Sequence, residues 1–332
     1  MDIQQIVLRS RPQGEPTAGT FAFEKSVLPP LQPGELHLKG QYYSVDPYMR
    51  GRMNDVKSYA PPFQIGQPIV GGVVAEVVES AATGFQKGDL VTGRMPWATE
   101  MIVTAKTVKK IDAALAPASY YLGLLGMPGL TAYFGLMAIG RPKPGETVVI
   151  SGAAGAVGLV VGQIAKIQGC RAVGIAGSDE KTAMLTDRFG FDAAINYKTE
   201  KNLSQAVGAA CPLGVDIYFD NVGGEISDAV IAHLNFHARI PLCGQISLYN
   251  SKEIPTGPRI QTMLLTRSVL MQGFIVGDFQ DRFPEAFAQL GTWLREGKLT
   301  YEQTIIDGFE NLPRALMGLF SGQNKGKMVV RA

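Results

Sequence analysis

The residues of this sequence best suited to bind a charged ligand form one glycine-rich turn. Ser151-Gly-Ala-Ala-Gly-Ala-Val-Gly158 carries glycine at every third position and mostly small side chains between. The backbone amides of such a turn, with the positive end of a following helix, can bind a pyrophosphate, and a side chain on Gly155 or Gly158 would obstruct its approach. The turn therefore predicts a dinucleotide site of the βαβ type. Its alanines depart from a strict G-x-G-x-x-G, and an ordinary strand-to-helix turn is the alternative.

The residues near the end of the next predicted strand indicate which nucleotide fits. In one interpretation Asp179, about 20 residues past the glycine turn, accepts from the ribose hydroxyls of NAD. In the other, Ser178 caps a helix whose first turn holds Asp179 and Glu180, where acidic side chains are favoured anyway. Lys181 is then placed to neutralise a 2′-phosphate. We favour the second interpretation, so the sequence predicts NADP(H) rather than NAD.

The glycine turn needs a strand before it and a helix after it, and both patterns are present. Residues 147–150 are a β-branched run and residues 159–167 have helical spacing. This alternation continues to about residue 297 and predicts a parallel sheet wrapped by helices. Further strands are predicted at 171–176, 215–219 and 238–243, and further helices at 179–189, 225–233 and 284–296.

The segment before residue 118 has a different texture. Alternating strands at 35–39, 69–78 and 89–92 are separated by frequent proline and glycine, which is typical of a compact antiparallel barrel. The final strand pattern, at 327–331, is predicted to return to this first domain.

Composition excludes several classes of protein. The 332 residues are 46% hydrophobic and 18% charged with a formal net charge of +2, so no electrostatic argument favours nucleic acid. Cys170, Cys211 and Cys243 form no C-x-x-C pair, and the N-terminus lacks a signal-peptide pattern, which together predict a reducing cytoplasm. Two uncharged runs, 113–140 and 147–165, are broken by proline, glycine or a strand, and we predict no membrane span.

Longer motifs then follow one another along most of the chain. They are Ser44-Val-Asp-Pro-Tyr-Met-Arg50, Gly126-Met-Pro-Gly-Leu-Thr-Ala132, Gly177-Ser-Asp-Glu-Lys181, Asn196-Tyr-Lys198, Asp220-Asn-Val-Gly-Gly224, Cys243-Gly-Gln-Ile-Ser-Leu-Tyr249 and Gly308-Phe-Glu-Asn311. By these motifs the chain resembles the zinc-independent medium-chain dehydrogenases/reductases, close to the leukotriene/prostaglandin reductases and the alkenal and curcumin double-bond reductases. The resemblance implies a GroES-like β-barrel catalytic domain from residues 1–120 and 301–332, a Rossmann doubly wound parallel sheet domain from 121–300, and a homodimer.

The resemblance also implies the residues that contact NADP. They are Gly155, Ala156, Val157 and Gly158 at the pyrophosphate; Ser178, Lys181 and Tyr197 near the 2′-phosphate; Asn221, Cys243, Gly244, Ser247 and Tyr249 around the nicotinamide, with Phe274, Ile275 and Val276 beside it; and Asn324 as the last contact.

The chemistry implied is reduction of the C=C bond of α,β-unsaturated ketones and aldehydes. Hydride goes to the β-carbon, and Tyr249 with a ribose hydroxyl stabilises the enolate oxygen. Tyr48 could line the substrate mouth and Arg50 could meet an acidic tail, although a structural ion pair is an equal expectation for Arg50. An NADPH:quinone reductase or a catalytically silent NADPH-binding protein are the alternatives.

No metal site is predicted. The wider superfamily's zinc enzymes need cysteine and histidine in the region that reads Asp46-Pro-Tyr-Met-Arg50 here, and neither is present. His233 and His237 have i,i+4 spacing without a third ligand, and we expect them to lie on one helix face.

Overall fold

The computed structural model describes residues 2–253 and 255–332, and their contacts divide the chain into two units. The first contains the chain up to Gly123 together with Gln303–Asn324 and Met328–Ala332. The second contains Leu124–Glu302 and Lys325–Lys327. Each unit has its own core.

The strands within the described residues are β1 (Asp2–Leu8), β2 (Phe21–Val27), β3 (Glu35–Ser44), β4 (Val70–Ser80), β5 (Leu90–Pro96), β6 (Glu100–Thr104), β7 (Val108–Lys110), β8 (Thr147–Ser151), β9 (Arg171–Ala176), β10 (Ala193–Asn196), β11 (Val215–Phe219), β12 (Leu234–Leu242), β13 (Leu270–Gly273), β14 (Gln303–Asp307) and β15 (Lys327–Arg331). The α-helices are α1 (Tyr48–Arg52), α2 (Met127–Phe134), α3 (Gly158–Ile167), α4 (Asp179–Phe189), α5 (Leu203–Ala210), α6 (Gly224–Ile231), α7 (Gln261–Thr266), α8 (Phe283–Arg295) and α9 (Leu312–Phe320).

The second unit is built on a six-stranded parallel sheet in the order β10-β9-β8-β11-β12-β13. The central strand β8 is buried along its whole length, as its β-branched composition predicts for a strand covered on both faces. Chain order along the sheet reverses between β8 and β11, and ligands of such sheets bind beyond the carboxyl ends of the strands at that point.

The first unit is β-rich. Its larger sheet has seven strands, six of them in the order β14-β15-β3-β4-β5-β7, with β6 paired to β3. The pairings of β3 with β4, β6 and β15 are antiparallel, as are those of β4 with β5 and β5 with β7. Trp97, Tyr43 and Met49 are fully buried in its core. The predicted fold class, a Rossmann-type parallel sheet unit accompanied by a β-rich unit, is confirmed.

Most predicted elements of the second unit are confirmed, and three have the predicted bounds: β9, α4 and β11. The expectation for the histidine pair was wrong. Helix α6 ends at Ile231, and His237 lies in β12 with a left-handed φ of 61°. His233 instead makes a 3.0 Å hydrogen bond between Nε2 and the Ser204 hydroxyl. The two rings therefore do not share a helix face.

Within the part of the chain that is described, no helix combines the length and the apolar composition needed to cross a bilayer.

Candidate cofactor and active site

The glycine turn joins β8 to α3 as predicted, and its geometry explains two of its glycines. A Cβ on Gly158 would lie 2.5 Å from the carbonyl oxygen of Gly152 and 2.7 Å from Cα of Ala153, so the turn closes on its own backbone here. A Cβ on Gly155 would lie 3.1 Å from that same oxygen. The sequence argument gave obstruction of a ligand as the reason for Gly158. The reason that the structure shows is the close approach of the turn's own backbone at Gly152 and Ala153.

The turn also leaves donors for an anion. The described residues place no acceptor on the backbone amides of Val157 and Gly158, which begin α3. Since α3 has ten residues, the partial positive charge of its N-terminus adds to these two donors. The turn thus fits a pyrophosphate group.

The adenosine end follows β9. The Ser178 hydroxyl accepts a hydrogen bond of 3.3 Å from the backbone amide of Lys181, so the predicted helix cap is confirmed. The carboxylate of Asp179 accepts a 2.7 Å hydrogen bond from the side-chain amide of Asn196. That carboxylate therefore serves to join α4 to β10, and this agrees with the interpretation that did not assign it to a ribose.

Lys181, in the first turn of α4, interacts electrostatically with two further lysines, Lys198 and Lys325. Burial lowers the pKa of Lys181, and the charges of Lys198 and Lys325 lower it further against the opposing effect of Glu180. Lys325 forms an ion pair with Glu180, which brings the 325–327 segment to the start of α4. A bound phosphate would relieve the repulsion between these cations. These residues fit the 2′-phosphate of NADP.

The Tyr197 ring packs against Gly177, the residue directly before Ser178. A Cβ on Gly177 would lie 3.0 Å from the Tyr197 ring and 3.1 Å from its hydroxyl oxygen, so glycine lets the ring approach the backbone. Tyr197 is 39% exposed, and its contact with the 2′-phosphate stays a prediction.

Asp220 organises the other end of the site, and sequence reasoning assigned it no role. It is 2% exposed at the carboxyl end of β11. Its carboxylate accepts from the Ser151 hydroxyl at 3.0 Å, Tyr218 at 2.9 Å, Ser227 at 2.6 Å and the amides of Val222 and Gly223 at 3.0 Å each. An acidic residue directly after a buried strand and before a Val-Gly-Gly turn is the signal that could have identified it.

The backbone around Asp220 anchors the nicotinamide-side residues. Asn221 donates from its side-chain amide to the carbonyl of Ser151 at 2.8 Å. The amides of Cys243 and Gly244 donate to the Asp220 carbonyl at 2.8 and 3.1 Å. The Ser247 hydroxyl donates to the Val222 carbonyl at 2.6 Å. The 243–249 loop is thus fastened to the end of β11.

Tyr249 ends that loop. Its hydroxyl oxygen accepts a 3.3 Å hydrogen bond from the Gln245 amide, and a Cβ on Gly244 would lie 3.1 Å from it. Burial raises the pKa of Tyr249, so the phenol stays protonated. The described residues place no acceptor on its proton, and the hydroxyl can therefore donate to a ligand oxygen.

Three further predicted contacts follow β13. The ring of Phe274 is buried and packs edge-on against Phe219 and Phe279 at centroid distances of 6.4 and 6.3 Å. Ile275 is exposed and Val276 half-buried. Because the Phe274 ring is used in the core, we expect this segment to contact the nicotinamide mainly through its backbone.

The remaining predicted residues lie in the first unit. Tyr48 begins α1 and is half-buried, and burial raises its pKa to about 12. Arg50 is 3% exposed and donates to the carbonyls of Pro12 and Gly14 and, at 2.6 Å, to the side-chain oxygen of Asn54. Those contacts are structural, made with neutral oxygens rather than in an ion pair. Asn324 is half-buried directly before the 325–327 segment, and its cofactor contact stays a prediction.

Comparison with known proteins agrees with this geometry. The family described as the N-terminal domain of oxidoreductase matches residues 4–111, and that described as zinc-binding dehydrogenase matches residues 156–292. Within residues 2–253 and 255–332, no group of three or more His, Cys, Asp or Glu side chains could hold a metal ion.

Whole-length relatives are similar to this chain as well. A Bacillus subtilis protein named as an NADP-dependent oxidoreductase, YfmJ, is 57% identical over 330 residues, which cover 99% of this chain and 97% of that protein. The NADP-dependent 2-alkenal reductase of Nicotiana tabacum is 43% identical over 332 residues, covering 98% and 96%. The crystal structure of CurA from Vibrio vulnificus in complex with NADPH has a TM-score of 0.95 at 44% identity and covers 99% of each chain.

Proposed function

Because this chain belongs to the medium-chain dehydrogenase/reductase family of NADP-dependent oxidoreductases, we propose that it reduces the C=C bond of α,β-unsaturated ketones and aldehydes with NADPH. One observation carries the proposal. Tyr249, on the loop that follows the Rossmann strand β12, is a protonated phenol. Its oxygen accepts a hydrogen bond from the Gln245 amide, and its proton has no acceptor among the described residues.

The residues for the cofactor fit both of its charged parts. The amides of Val157 and Gly158 would hold the pyrophosphate, and Ser178, Lys181 and Tyr197 would surround the 2′-phosphate. Asn221 and the 243–249 loop would border the nicotinamide. When bound, NADPH supplies a hydride to the β-carbon of the substrate.

Tyr249 would then act on the substrate oxygen. As negative charge develops on the carbonyl oxygen, the phenol donates a hydrogen bond that stabilises it, and a ribose hydroxyl is proposed as a second donor. Its raised pKa keeps the proton on the phenol, and the bond from the Gln245 amide fixes the position of its oxygen. A preorganised donor of this kind contributes about 10²–10³ in rate.

We also propose a homodimer and a reducing compartment. Strand β13 forms one edge of the parallel sheet, and exposed apolar side chains lie near it: Leu270 is 40% and Leu265 79% exposed. An unpaired edge with apolar flanks is a ready surface for a second copy of the chain. The three cysteines are free thiols, which suits a reducing environment.

The deciding experiment follows NADPH oxidation against a panel of enones, enals and quinones, with NADH as the control cofactor. We expect turnover with enones and enals, and little with NADH. Turnover of quinones alone would establish a quinone reductase instead. Tight NADPH binding without oxidation on any member of the panel would establish a silent binding protein.

A further inference from the structure

Asp220 is a buried carboxylate that is held by hydrogen bonds and not by a cation. It is 2% exposed, and no lysine, arginine or histidine among residues 2–253 and 255–332 forms an ion pair with it. Its Oδ1 atom accepts four hydrogen bonds and its Oδ2 atom accepts one. Two of the five donors are backbone amides, which can only donate, so the bonds favour the ionised carboxylate. A negative charge is therefore retained at the carboxyl end of β11.

This charge acts on the loop that follows β12. Burial, and after it the charge of Asp220, raises the pKa of Cys243 to about 12. Burial is also the largest cause of the raised pKa of Tyr249, and the charge of Asp220 contributes in the same direction. The backbone joins the two segments, since the amides of Cys243 and Gly244 donate to the Asp220 carbonyl. A positive charge on a ligand beside this loop would be attracted by Asp220.

NADP(H) carries such a charge in only one of its two redox states. The nicotinamide ring is a cation in NADP⁺ and is neutral in NADPH, whereas the phosphate groups are the same in both. An anion near the ring therefore favours binding of the oxidised form relative to the reduced form.

We propose that the charge of Asp220 selectively stabilises the oxidised nicotinamide and so assists hydride transfer to the substrate. The proposal rests on the position proposed above for the nicotinamide, beside the 243–249 loop, and adds the residue that sets the balance between the two redox states. Asp220 would lower the barrier because the hydride takes both bonding electrons to the β-carbon, which reduces the enone and leaves the ring positive. Asp220 and the 243–249 loop both belong to the second unit.

Asp220→Asn removes the charge and keeps the shape of the side chain. Its Oδ1 atom can keep the four hydrogen bonds of the wild type. Its new amide can donate to the Ser227 hydroxyl, which donates to Oδ2 of Asp220 at 2.6 Å in the wild type. Ser227 can then direct its proton to the Tyr218 hydroxyl, 3.1 Å away. We therefore expect the variant to fold.

The test titrates NADP⁺ and NADPH separately into each protein by calorimetry, without substrate. We expect the ratio of Kd for NADP⁺ to Kd for NADPH to rise about three- to tenfold in Asp220→Asn, the size expected for one charge that acts without direct contact. A loss of binding-competent protein weakens both ligands equally and cancels in the ratio. General damage to the fold therefore cannot imitate the expected effect.

Two controls separate the charge from its surroundings. Asp216→Asn makes the same change at the other end of β11, where the carboxylate accepts from the Thr147 amide and the Asn235 side chain at 2.8 Å each. Ser227→Ala removes one hydrogen bond to Asp220 and leaves its charge. Both should keep the wild-type ratio. A change in either control as large as that in Asp220→Asn would contradict the assignment to this charge.

The redox balance and the reaction fail separately. If no enone is reduced, the proposed function is wrong, and the two titrations still decide the role of Asp220. An Asp220→Asn protein with the wild-type ratio would overturn the inference even if enones are reduced. Asp220→Ser, which keeps an acceptor without the charge, supplies the ratio if Asp220→Asn does not bind either ligand.

Discussion

At Tyr249, one oxygen accepts a hydrogen bond from its own loop while its proton has no acceptor among the described residues. A phenol in ordinary solution moves between partners, whereas the oxygen of this one is already held in position by the Gln245 amide. Burial raises its pKa, so the donor form persists through neutral and mildly alkaline pH. A side chain that lost its proton at neutral pH could not donate a hydrogen bond to the substrate oxygen from this position.

Tyr249→Phe tests this role directly. We expect kcat for enone reduction to fall about 10²–10³-fold, because the developing negative charge loses a preorganised donor. NADPH affinity, measured by fluorescence titration, should stay within a factor of about two. Tyr42→Phe, which removes a phenol from β3, is the control and should keep wild-type turnover. Unchanged kcat in Tyr249→Phe would remove Tyr249 from the chemistry.

Lys181→Ala tests the choice of nucleotide. The KM for NADPH should rise about tenfold or more, since a charge-assisted bond to the 2′-phosphate is lost, while the weak activity with NADH should not change. Lys201→Ala removes an exposed lysine after β10 and serves as the control. Equal effects on NADPH and NADH would contradict a 2′-phosphate contact.

Local sequence patterns predicted the hydrogen-bond partners of some of these residues but not of others. The Ser178 cap follows from its position before two acidic residues, and the structure shows that bond. The partners of Arg50 could not be predicted, because Pro12 and Gly14 lie 38 and 36 residues away and offer only backbone carbonyls.

At the scale of elements, the turn between β8 and α3 depends on its glycines for closure. Gly158→Ala would place a methyl group 2.5 Å from the Gly152 carbonyl oxygen, closer than any real contact. We expect the free energy of unfolding to fall by about 1–3 kcal/mol and NADPH binding to weaken, because the turn must open to relieve the overlap. Thermal unfolding with and without NADPH measures both effects.

Gly273→Ala is the matched control. A Cβ there meets nothing within 4 Å, so stability and NADPH binding should be close to those of the wild type. A Gly158→Ala protein as stable as the control would show that the turn is less tightly closed than its geometry indicates.

Periodicity was enough to place β9, α4 and β11, because each is a short pattern bounded by glycine, serine or aspartate. It failed at the start of β12. The pairing with β11 shifts between Val215–Leu234 and Ile217–Arg239, so the strand bulges over 235–238. His237 takes a left-handed φ within that bulge. The alternating pattern resumes only at Ala238, where the sequence placed the first residue of the strand.

At the scale of the whole molecule, the sequence placed a β-rich domain at 1–120 and 301–332 around a parallel-sheet domain at 121–300. In the structure, the contacts assign Lys325–Lys327 to the parallel-sheet unit, together with Leu124–Glu302. The Gly326 amide donates to the Ala154 carbonyl at 2.8 Å, which explains the assignment. A contact between residues so distant in sequence could not be predicted from local patterns.

The proposed homodimer makes a prediction at the same scale. Leu270→Lys places a charge on the edge strand β13, where it should oppose pairing with a second copy. Light scattering coupled to gel filtration should show a wild-type dimer and a mostly monomeric variant. Ile305→Lys, at a comparably exposed apolar position on β14, should remain dimeric. A Leu270→Lys dimer as stable as the wild type would exclude this edge as the interface.

The most direct test of the central claim follows the transferred hydrogen itself. An enone is reduced with NADPH that carries deuterium at the transferable position, and the product is analysed by NMR. We predict a saturated ketone with deuterium on the former β-carbon. An allylic alcohol with deuterium on the carbinol carbon would show carbonyl reduction and contradict the account.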